Sequence, residues 1–173
     1  MNYRAFILSN EDSNYKVSYY LTPSRWIDNA MDSSNPITDV NNWCEEIKYL
    51  DEQNQDISTE IKNIPSTTGG VYMFFVKGLN LPFIEKHIMY IGRCKYTESQ
   101  NIRKRAMEYF RDQRPIIKFM FDKWKNYLYY RYFPDTDNDN IDKNEAMLIR
   151  AILPPFNEQI PDKVEIMNTV SAF

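Results

Sequence analysis

Gly70-Val71-Tyr72 and Tyr90-Ile91-Gly92 are the two stretches that decide the fold of this chain. After the first glycine pair, the β-branched and aromatic residues 71–76 predict a strand. Residues 87–91 predict a returning strand, with a turn over residues 77–82 between the two. The pair therefore predicts an antiparallel hairpin in which Tyr72 and Tyr90 can point to the same face, because side chains alternate along a strand.

Beyond the hairpin, the sequence predicts a loop, two helices, a third strand, a polar loop and a last helix. These elements are expected over residues 92–99, 103–110, from 115 onward, 127–133, 135–142 and 144–153. The first helix places Arg105 and Tyr109 four residues apart on one face. Pro115 suits the first position of the second helix, and Pro134 is expected to end the third strand.

Residues 1–64 carry weaker signals. Residues 15–21 alternate like a strand. Asp39 is a plausible N-cap for a helix running through Trp43, Ile47 and Leu50, which recur at helical spacing. A second, short helical turn is expected to lead to Ile61. The aromatic content of this segment predicts that it packs.

Composition sets the class of protein. The chain has 173 residues, of which 43% are hydrophobic and 26% charged, as in one globular domain with a well-buried core. Two separated cysteines and one histidine make a zinc site improbable. No apolar run reaches the length that spans a bilayer, and residues 1–8 lack the apolar core of a signal peptide. We therefore expect a cytoplasmic protein without membrane contact.

The formal net charge of −3 conceals a strong asymmetry. Residues 1–64 carry five Lys or Arg against eleven Asp or Glu, whereas residues 93–131 carry eleven against four, which is +7. Because phosphate binding depends on the local field, the acidic isoelectric point does not exclude a nucleic-acid partner. The alternative interpretation is a solvated basic helix that balances acidic neighbours.

The ordered set of the two blocks, then Arg105 and Tyr109, then Glu145 and Asn157, resembles the GIY-YIG nuclease family. Residues 65–72 also look like the lead-in found in the nuclease domain of bacterial excision-repair proteins. The resemblance covers residues 64–158. It implies an α+β fold with a small three-stranded antiparallel sheet flanked by helices. The implied parts are an N-terminal extension, a nuclease core and a C-terminal tail, at residues 1–64, 65–160 and 161–173.

The resemblance also implies catalytic roles. Glu145 is expected to hold one Mg²⁺ or Mn²⁺ ion, and Arg105 to grip the scissile phosphate with its fork of donors. One of Tyr72 and Tyr90 is expected to orient or deprotonate the attacking water, with its pKa lowered by nearby cations; the sequence leaves open which one. The resemblance further implies that Tyr109 hydrogen-bonds to the water or the phosphate and that Asn157 braces the site through hydrogen bonds. Gly70 and Gly92 are its supporting glycines.

The resemblance also implies that the basic residues 93–131 contact the phosphates of a bound nucleic acid. Candidate nucleic-acid contacts are Arg93, Lys95, Arg103, Lys104, Arg111, Arg114, Lys118, Lys123 and Lys125. The expected substrate is DNA, with double-stranded DNA favoured and RNA possible. The expected enzyme is a restriction, repair or phage-defence endonuclease. The alternative is a nucleic-acid-binding or protein-docking subunit of a larger complex, and residues 1–64 are expected to serve partner docking or homodimer formation.

Overall fold

The computed structural model describes residues 34–78 and 86–161, and one antiparallel sheet lies at their centre. Its four strands have the spatial order β1-β4-β2-β3, with β1 at Ile47–Lys48, β2 at Gly69–Val76, β3 at His87–Cys94 and β4 at Leu128–Asp135. The helices are α1 at Thr59–Lys62, α2 at Ile102–Glu108, α3 at Pro115–Trp124 and α4 at Asn138–Ile152. The α+β class expected from the sequence is therefore confirmed.

The predicted hairpin is present as β2 and β3. Tyr72 lies opposite Gly92, and Phe74 lies opposite Tyr90, so both tyrosines extend from the same face of the sheet. A bulge between Phe74 and Phe75 leaves one extra residue on β3. Strand β3 continues to Cys94. The loop predicted from residue 92 therefore begins later than expected, after the strand rather than within it.

The prediction of a three-stranded sheet is wrong, because the segment before the hairpin adds a fourth strand. In place of the helix predicted through Ile47, Asp39 caps a single 3-10 turn at Val40–Asn42, and the chain then extends along β4. The amides of Cys44 and Tyr49 donate to carbonyl groups of β4 at 2.9 and 3.0 Å. Hydrogen bonds with the unpaired backbone groups at the edge of β4 stabilise the extended conformation more than a helix with only a few apolar residues at helical spacing.

The two faces of the sheet carry separate cores. Tyr72, Phe74 and Tyr130 pack with apolar residues of α1, α2 and α3 on one face. On the other face, Val71 and Ile91 pack against α4. Because alternate residues of one strand enter different cores, neighbouring positions of the hairpin are directed to opposite sides. This alternation determines where the candidate site residues lie.

Two predicted boundaries at the end of the sheet are also wrong. Strand β4 continues through Pro134, which lies opposite Gly70. The polar loop expected next is instead the start of α4. Asp137 caps this helix by accepting hydrogen bonds from the amides of Asp139 and Asn140, and Ile141 is fully buried. A capping carboxylate and one buried anchor residue compensate for the low helix propensity of the Asp/Asn-rich stretch.

The other elements agree with the sequence predictions. Helix α1 is the short turn that was expected before Ile64, and α3 begins at Pro115. The strand predicted at residues 15–21 and most of the predicted tail lie outside the described residues. Cys44 and Cys94 are free thiols. Among the described residues, no helix combines the length and apolar character needed to cross a bilayer.

Candidate active site

Three tyrosine hydroxyl groups meet on the sheet face that is covered by α2. The hydroxyl oxygens of Tyr72 and Tyr109 are 2.7 Å apart, and Tyr109 donates to Tyr90 at 3.2 Å. Arg105 donates through Nε to the Tyr72 hydroxyl at 3.2 Å and through Nη2 to that of Tyr109 at 3.4 Å. We call Tyr72, Tyr109 and Tyr90 the tyrosine chain. The structure thus brings together four of the residues that the sequence singled out.

Gly92 makes room for the tyrosine chain. A Cβ atom at this position would lie 2.6 Å from the Tyr72 hydroxyl oxygen and within 3.0 Å of two ring atoms. The ring of Tyr72 therefore needs a residue without a side chain on the neighbouring strand. The sequence analysis named Gly92 as a supporting glycine at the start of a loop, whereas it lies within β3 and accommodates a buried side chain.

The hydrogen bonds of the tyrosine chain run in one direction. Each hydroxyl group has a single proton to donate. Since Tyr109 gives its proton to Tyr90, the short contact with Tyr72 requires Tyr72 to be the donor, and the oxygen of Tyr72 accepts from Arg105. Tyr72 and Tyr109 are each 1% exposed, whereas Tyr90 is half-buried. The proton of Tyr90 is thus left for a partner outside the chain.

Burial keeps Tyr72 and Tyr90 uncharged. It raises the pKa of Tyr72 well above the usual value for tyrosine, an effect that neighbouring Tyr109 reinforces and Arg105 opposes. Burial and the Tyr109 hydroxyl likewise raise the pKa of Tyr90. We expected nearby cations to lower the pKa of one of these residues. In the structure the loss of solvation is the larger effect, and both hydroxyl groups are protonated at neutral pH.

Four charged side chains form a second group on the opposite face of the hairpin, beside α4. Arg93 lies opposite Val71 in the hairpin and forms an ion pair with Glu145 through Nη1. Its Nε lies 2.8 Å from Asp142, and Lys95 reaches the other oxygen of Asp142 at 2.7 Å. We call Arg93, Lys95, Asp142 and Glu145 the charged cluster. Two cations and two carboxylates make it formally neutral.

Glu145 is the least exposed member of the charged cluster. Its side chain is 11% exposed, and it lies in the middle of α4 rather than in the first turn suggested by the sequence. Burial raises the pKa of Glu145, while Arg93 and, beyond it, Arg105 oppose that effect. The charged cluster and the tyrosine chain extend from different faces of the hairpin.

The charged cluster offers few ligands to a metal ion. Within residues 34–78 and 86–161, no group of three or more His, Cys, Asp or Glu side chains is arranged to hold one. Asp142 Oδ1 is buried and lies 2.8 Å from Arg93 Nε, with which it forms an ion pair. Glu145 and Asp142 are three residues apart on α4, and one or two carboxylates are enough for a divalent ion that keeps several waters. Both carboxylates are paired with Arg93 in this structure.

Asn157 holds the outer edge of β3. Helix α4 ends at Ile152, and its C-cap Leu153 adopts a left-handed conformation, after which the chain passes two prolines and returns to the hairpin. The Asn157 side chain donates to the carbonyl group of Ile91 at 2.8 Å and accepts from its amide at 2.9 Å. Asn157 thus lies beside Tyr90 in space but contacts only backbone in these two bonds.

The basic side chains around α2 and α3 are mostly on the surface. Those at the exposed or half-exposed positions are Arg103, Lys104, Arg111 and Lys118. Arg114 differs, because it pairs with Asp112 and its Cζ lies 5.6 Å from the centre of the Tyr109 ring. The sequence analysis missed the part played by Asp142 and Asp112. Asp142 was assigned to a loop, so its spacing of three residues from Glu145 on one helix was not recognised.

Comparisons with known proteins give one informative similarity. The chain is 30% identical over 107 residues to the UvrABC system protein C of Dictyoglomus thermophilum. That alignment covers 62% of this chain and 15% of the relative, so the chain spans only a small part of that protein. No family model matches the chain. No solved structure matches it either.

Proposed function

We propose that this chain is a GIY-YIG-type endonuclease that hydrolyses phosphodiester bonds of DNA with the help of one divalent metal ion. The observation that carries the proposal is the arrangement around Arg105, whose guanidinium donates to two hydroxyl groups of the tyrosine chain. An arginine, a set of hydroxyl groups and a carboxylate such as Glu145 are the groups that phosphodiester hydrolysis needs. The similarity to part of a UvrABC system protein C supports the same interpretation.

Arg105 is the group that binds the scissile phosphate. Its side chain is 31% exposed, and contacts with Tyr72, Tyr109 and Glu108 hold the guanidinium in place. Neighbouring Tyr72 and Tyr109 raise its pKa despite partial burial, so the guanidinium stays charged. A guanidinium fixed in this way stabilises charge that develops on the phosphate without having to reorganise.

Tyr90 is the tyrosine that faces the attacking water. It ends the tyrosine chain, and it is more exposed than Tyr72 or Tyr109. Its neutral hydroxyl orients the water and keeps a proton available for an oxygen of the phosphate. Tyr72 is buried and has both a donor and an acceptor partner within the chain, so its role is to hold Tyr109 and Arg105 in place.

Glu145, with Asp142 beside it, is the place for the metal ion. A Mg²⁺ or Mn²⁺ ion bound there supplies Lewis acidity toward the phosphate and the leaving oxygen. Glu145 is held by Arg93 in the structure. Arg93 therefore has to share Glu145 with the metal ion or release it. Once released, its guanidinium is available to contact a phosphate of the nucleic acid. Asn157 braces β3 next to Tyr90 through the backbone of Ile91.

The decisive test is cleavage of supercoiled plasmid by the wild type and by Glu145→Gln, with Mg²⁺ or with EDTA. We expect Mg²⁺-dependent nicking by the wild type and a loss on the order of 10³-fold in the variant, because the metal ligand is removed. The matched control is Glu60→Gln, an exposed glutamate on α1, which should cleave like the wild type. Undiminished cleavage by Glu145→Gln would refute the proposal. Discrete bands rather than a smear would identify a sequence-specific enzyme.

A second candidate function is a nucleic-acid-binding or protein-docking subunit of a larger complex. It is favoured by the charged cluster, in which Arg93 occupies the carboxylate that a metal ion needs. A wild-type protein that binds duplex DNA but cleaves none with Mg²⁺, Mn²⁺ or Co²⁺ would select this function.

A further inference from the structure

Arg114 is fixed in one orientation by Asp112. Its Nε lies 3.1 and 2.9 Å from the two carboxylate oxygens, and its Nη2 lies 2.7 Å from Oδ2. The backbone amide of Arg114 also donates to Asp112 at 2.9 Å. Burial opposes ionisation of Asp112, but the bonds from Arg114 prevail and lower its pKa, so the carboxylate is charged. Several hydrogen bonds to one carboxylate define the orientation of Arg114 better than a single surface ion pair would.

The orientation places Arg114 at the outer end of the tyrosine chain. Its Cζ lies 5.6 Å from the centre of the Tyr109 ring, and Arg105 approaches the same ring at 4.8 Å. Arg114 also interacts with Tyr90, where it partly offsets the effect of burial on the pKa of that hydroxyl. Arg105 thus contacts the Tyr72 end of the tyrosine chain, and Arg114 lies at the Tyr90 end.

The guanidinium of Arg114 has donors to spare. Of the five N–H groups of an arginine, one on Nε and one on Nη2 are directed at Asp112, which leaves three for Tyr109, Tyr90 and an anion. The side chain is 46% exposed, so an anion from solution can reach it. Its pairing with Asp112 makes the two residues neutral together. Attraction by net charge is therefore weak, and binding of an anion here depends on the geometry of the fork.

We propose that Arg114 is a second phosphate-binding arginine of the site, held in place by Asp112 as a positioning residue. It binds the backbone phosphate that reaches the Tyr90 hydroxyl, while Arg105 acts from the other end of the tyrosine chain. This inference rests on the proposed function and adds a residue to it. It separates Arg114 from the other surface cations, which attract nucleic acid by charge and without fixed geometry.

The test compares Arg114→Ala, Arg114→Lys and Asp112→Asn with a matched control. Lys62→Ala is the control, because Lys62 on α1 pairs with Asp56 at 2.7 Å, is 42% exposed and makes none of the contacts described for the site. Cleavage of a labelled duplex gives kcat and KM, and fluorescence anisotropy with Ca²⁺ in place of Mg²⁺ gives affinity without cleavage. Thermal unfolding shows whether each variant is folded.

We expect Arg114→Ala to lose on the order of 100-fold in kcat/KM, and Arg114→Lys to recover little of it because an ammonium lacks the planar fork. Asp112→Asn leaves Arg114 charged but removes the carboxylate that orients it, and should lose about 10-fold, mainly in kcat. Lys62→Ala should match the wild type. Arg111→Ala should instead weaken duplex binding uniformly and reduce its salt dependence by about one ion.

Full activity in Arg114→Lys, or equal activity in Arg114→Ala and Lys62→Ala, would overturn the role of Arg114 and leave the nuclease proposal standing. If the wild type cleaves nothing, the anisotropy measurement decides. A loss of affinity in Arg114→Ala beyond that in Arg111→Ala supports a phosphate-binding Arg114 in a protein that is not a nuclease. Equal losses in those two variants, or no binding by the wild type, would reject it.

Discussion

The tyrosine chain and the charged cluster lie on opposite faces of one hairpin and are stabilised in different ways. The tyrosine chain is buried, neutral and joined by hydrogen bonds between hydroxyl groups, and its rings are part of the core that includes Phe74 and Tyr130. The charged cluster is half-exposed, and its four side chains hold one another by opposite charge. Burial raises the pKa of Tyr72 and Tyr90, whereas at Glu145 the attraction of Arg93 opposes the effect of burial on the pKa.

The difference shows which group stabilises the fold and which group can rearrange when salt or a ligand is added. Removing a ring from a packed core leaves a cavity, whereas removing one partner of a half-exposed ion pair lets water replace it. The tyrosine chain should therefore contribute much more to the free energy of unfolding than the charged cluster. The charged cluster should respond more to salt and ligands.

The largest effect is expected for Tyr72→Ala, which removes a ring that is 1% exposed. We expect a loss of about 4 kcal/mol in the free energy of unfolding, from the lost transfer energy and the cavity left behind. The comparison variant Glu145→Ala should cost about 1 kcal/mol, because its partner Arg93 is 43% exposed and water can solvate it. Urea unfolding followed by circular dichroism measures both, and equal losses would contradict the contrast between the two groups.

A smaller effect is expected for Gly92→Ala. The added methyl group would lie 2.6 Å from the Tyr72 hydroxyl, so the buried ring has to shift, at a cost of about 2 kcal/mol. In a Tyr72→Ala background the same change should cost less than about 1 kcal/mol, because the clashing ring is gone. A double-mutant cycle in urea gives the coupling. Additive losses would show that Gly92 has a role other than making room for Tyr72.

Alkaline pH should lower the free energy of unfolding, because Tyr72 is buried with its proton. Tyr72 keeps its proton in the folded protein because burial raises its pKa, while the unfolded chain loses that proton near pH 10. The unfolded state then binds fewer protons, so stability is complete below about pH 10 and falls as pH rises, by about 1.4 kcal/mol per pH unit for each such residue. Tyr72→Phe should reduce the slope between pH 10 and 11 by that amount in urea unfolding. An unchanged slope would show that Tyr72 ionises in the folded protein.

The smallest effect belongs to the charged cluster. Arg93→Ala should cost about 1 kcal/mol at low salt and about half of that in 0.5 M NaCl, because partly exposed ion pairs are screened. Lys95→Ala, which removes a contact to the more exposed Asp142, should cost less. Unfolding in urea at both salt concentrations measures these changes. A cost for Arg93→Ala that does not depend on salt would mean that Arg93 acts through packing rather than through charge.

The tyrosine chain was largely predictable from the sequence, because it depends on local patterns. Strand alternation placed Tyr72 and Tyr90 on one face, and helical spacing placed Arg105 beside Tyr109. The hydrogen bonds that join them follow from packing one helix on a hairpin. Their direction and the raised pKa values depend on burial, which a pattern does not reveal.

The charged cluster was less predictable, because its contacts join residues far apart in the chain. Arg93 and Glu145 are separated by 52 positions, and their pairing depends on α4 packing on the far face of the sheet. The early start of α4 put Asp142 on the same helix as Glu145. The fourth strand escaped prediction for a similar reason, since two residues form β1 only because the edge of β4 is open to them.

The contact between Asn157 and Ile91 has a consequence for self-association. Strand β3 is at one edge of the sheet, and the N–H and C=O groups of an edge strand can template the addition of a strand from another molecule. The Asn157 amide pairs with both backbone groups of Ile91, and the amide of Phe156 occupies the carbonyl group of Met89. One side chain therefore imitates a neighbouring strand and protects this edge against fibril growth.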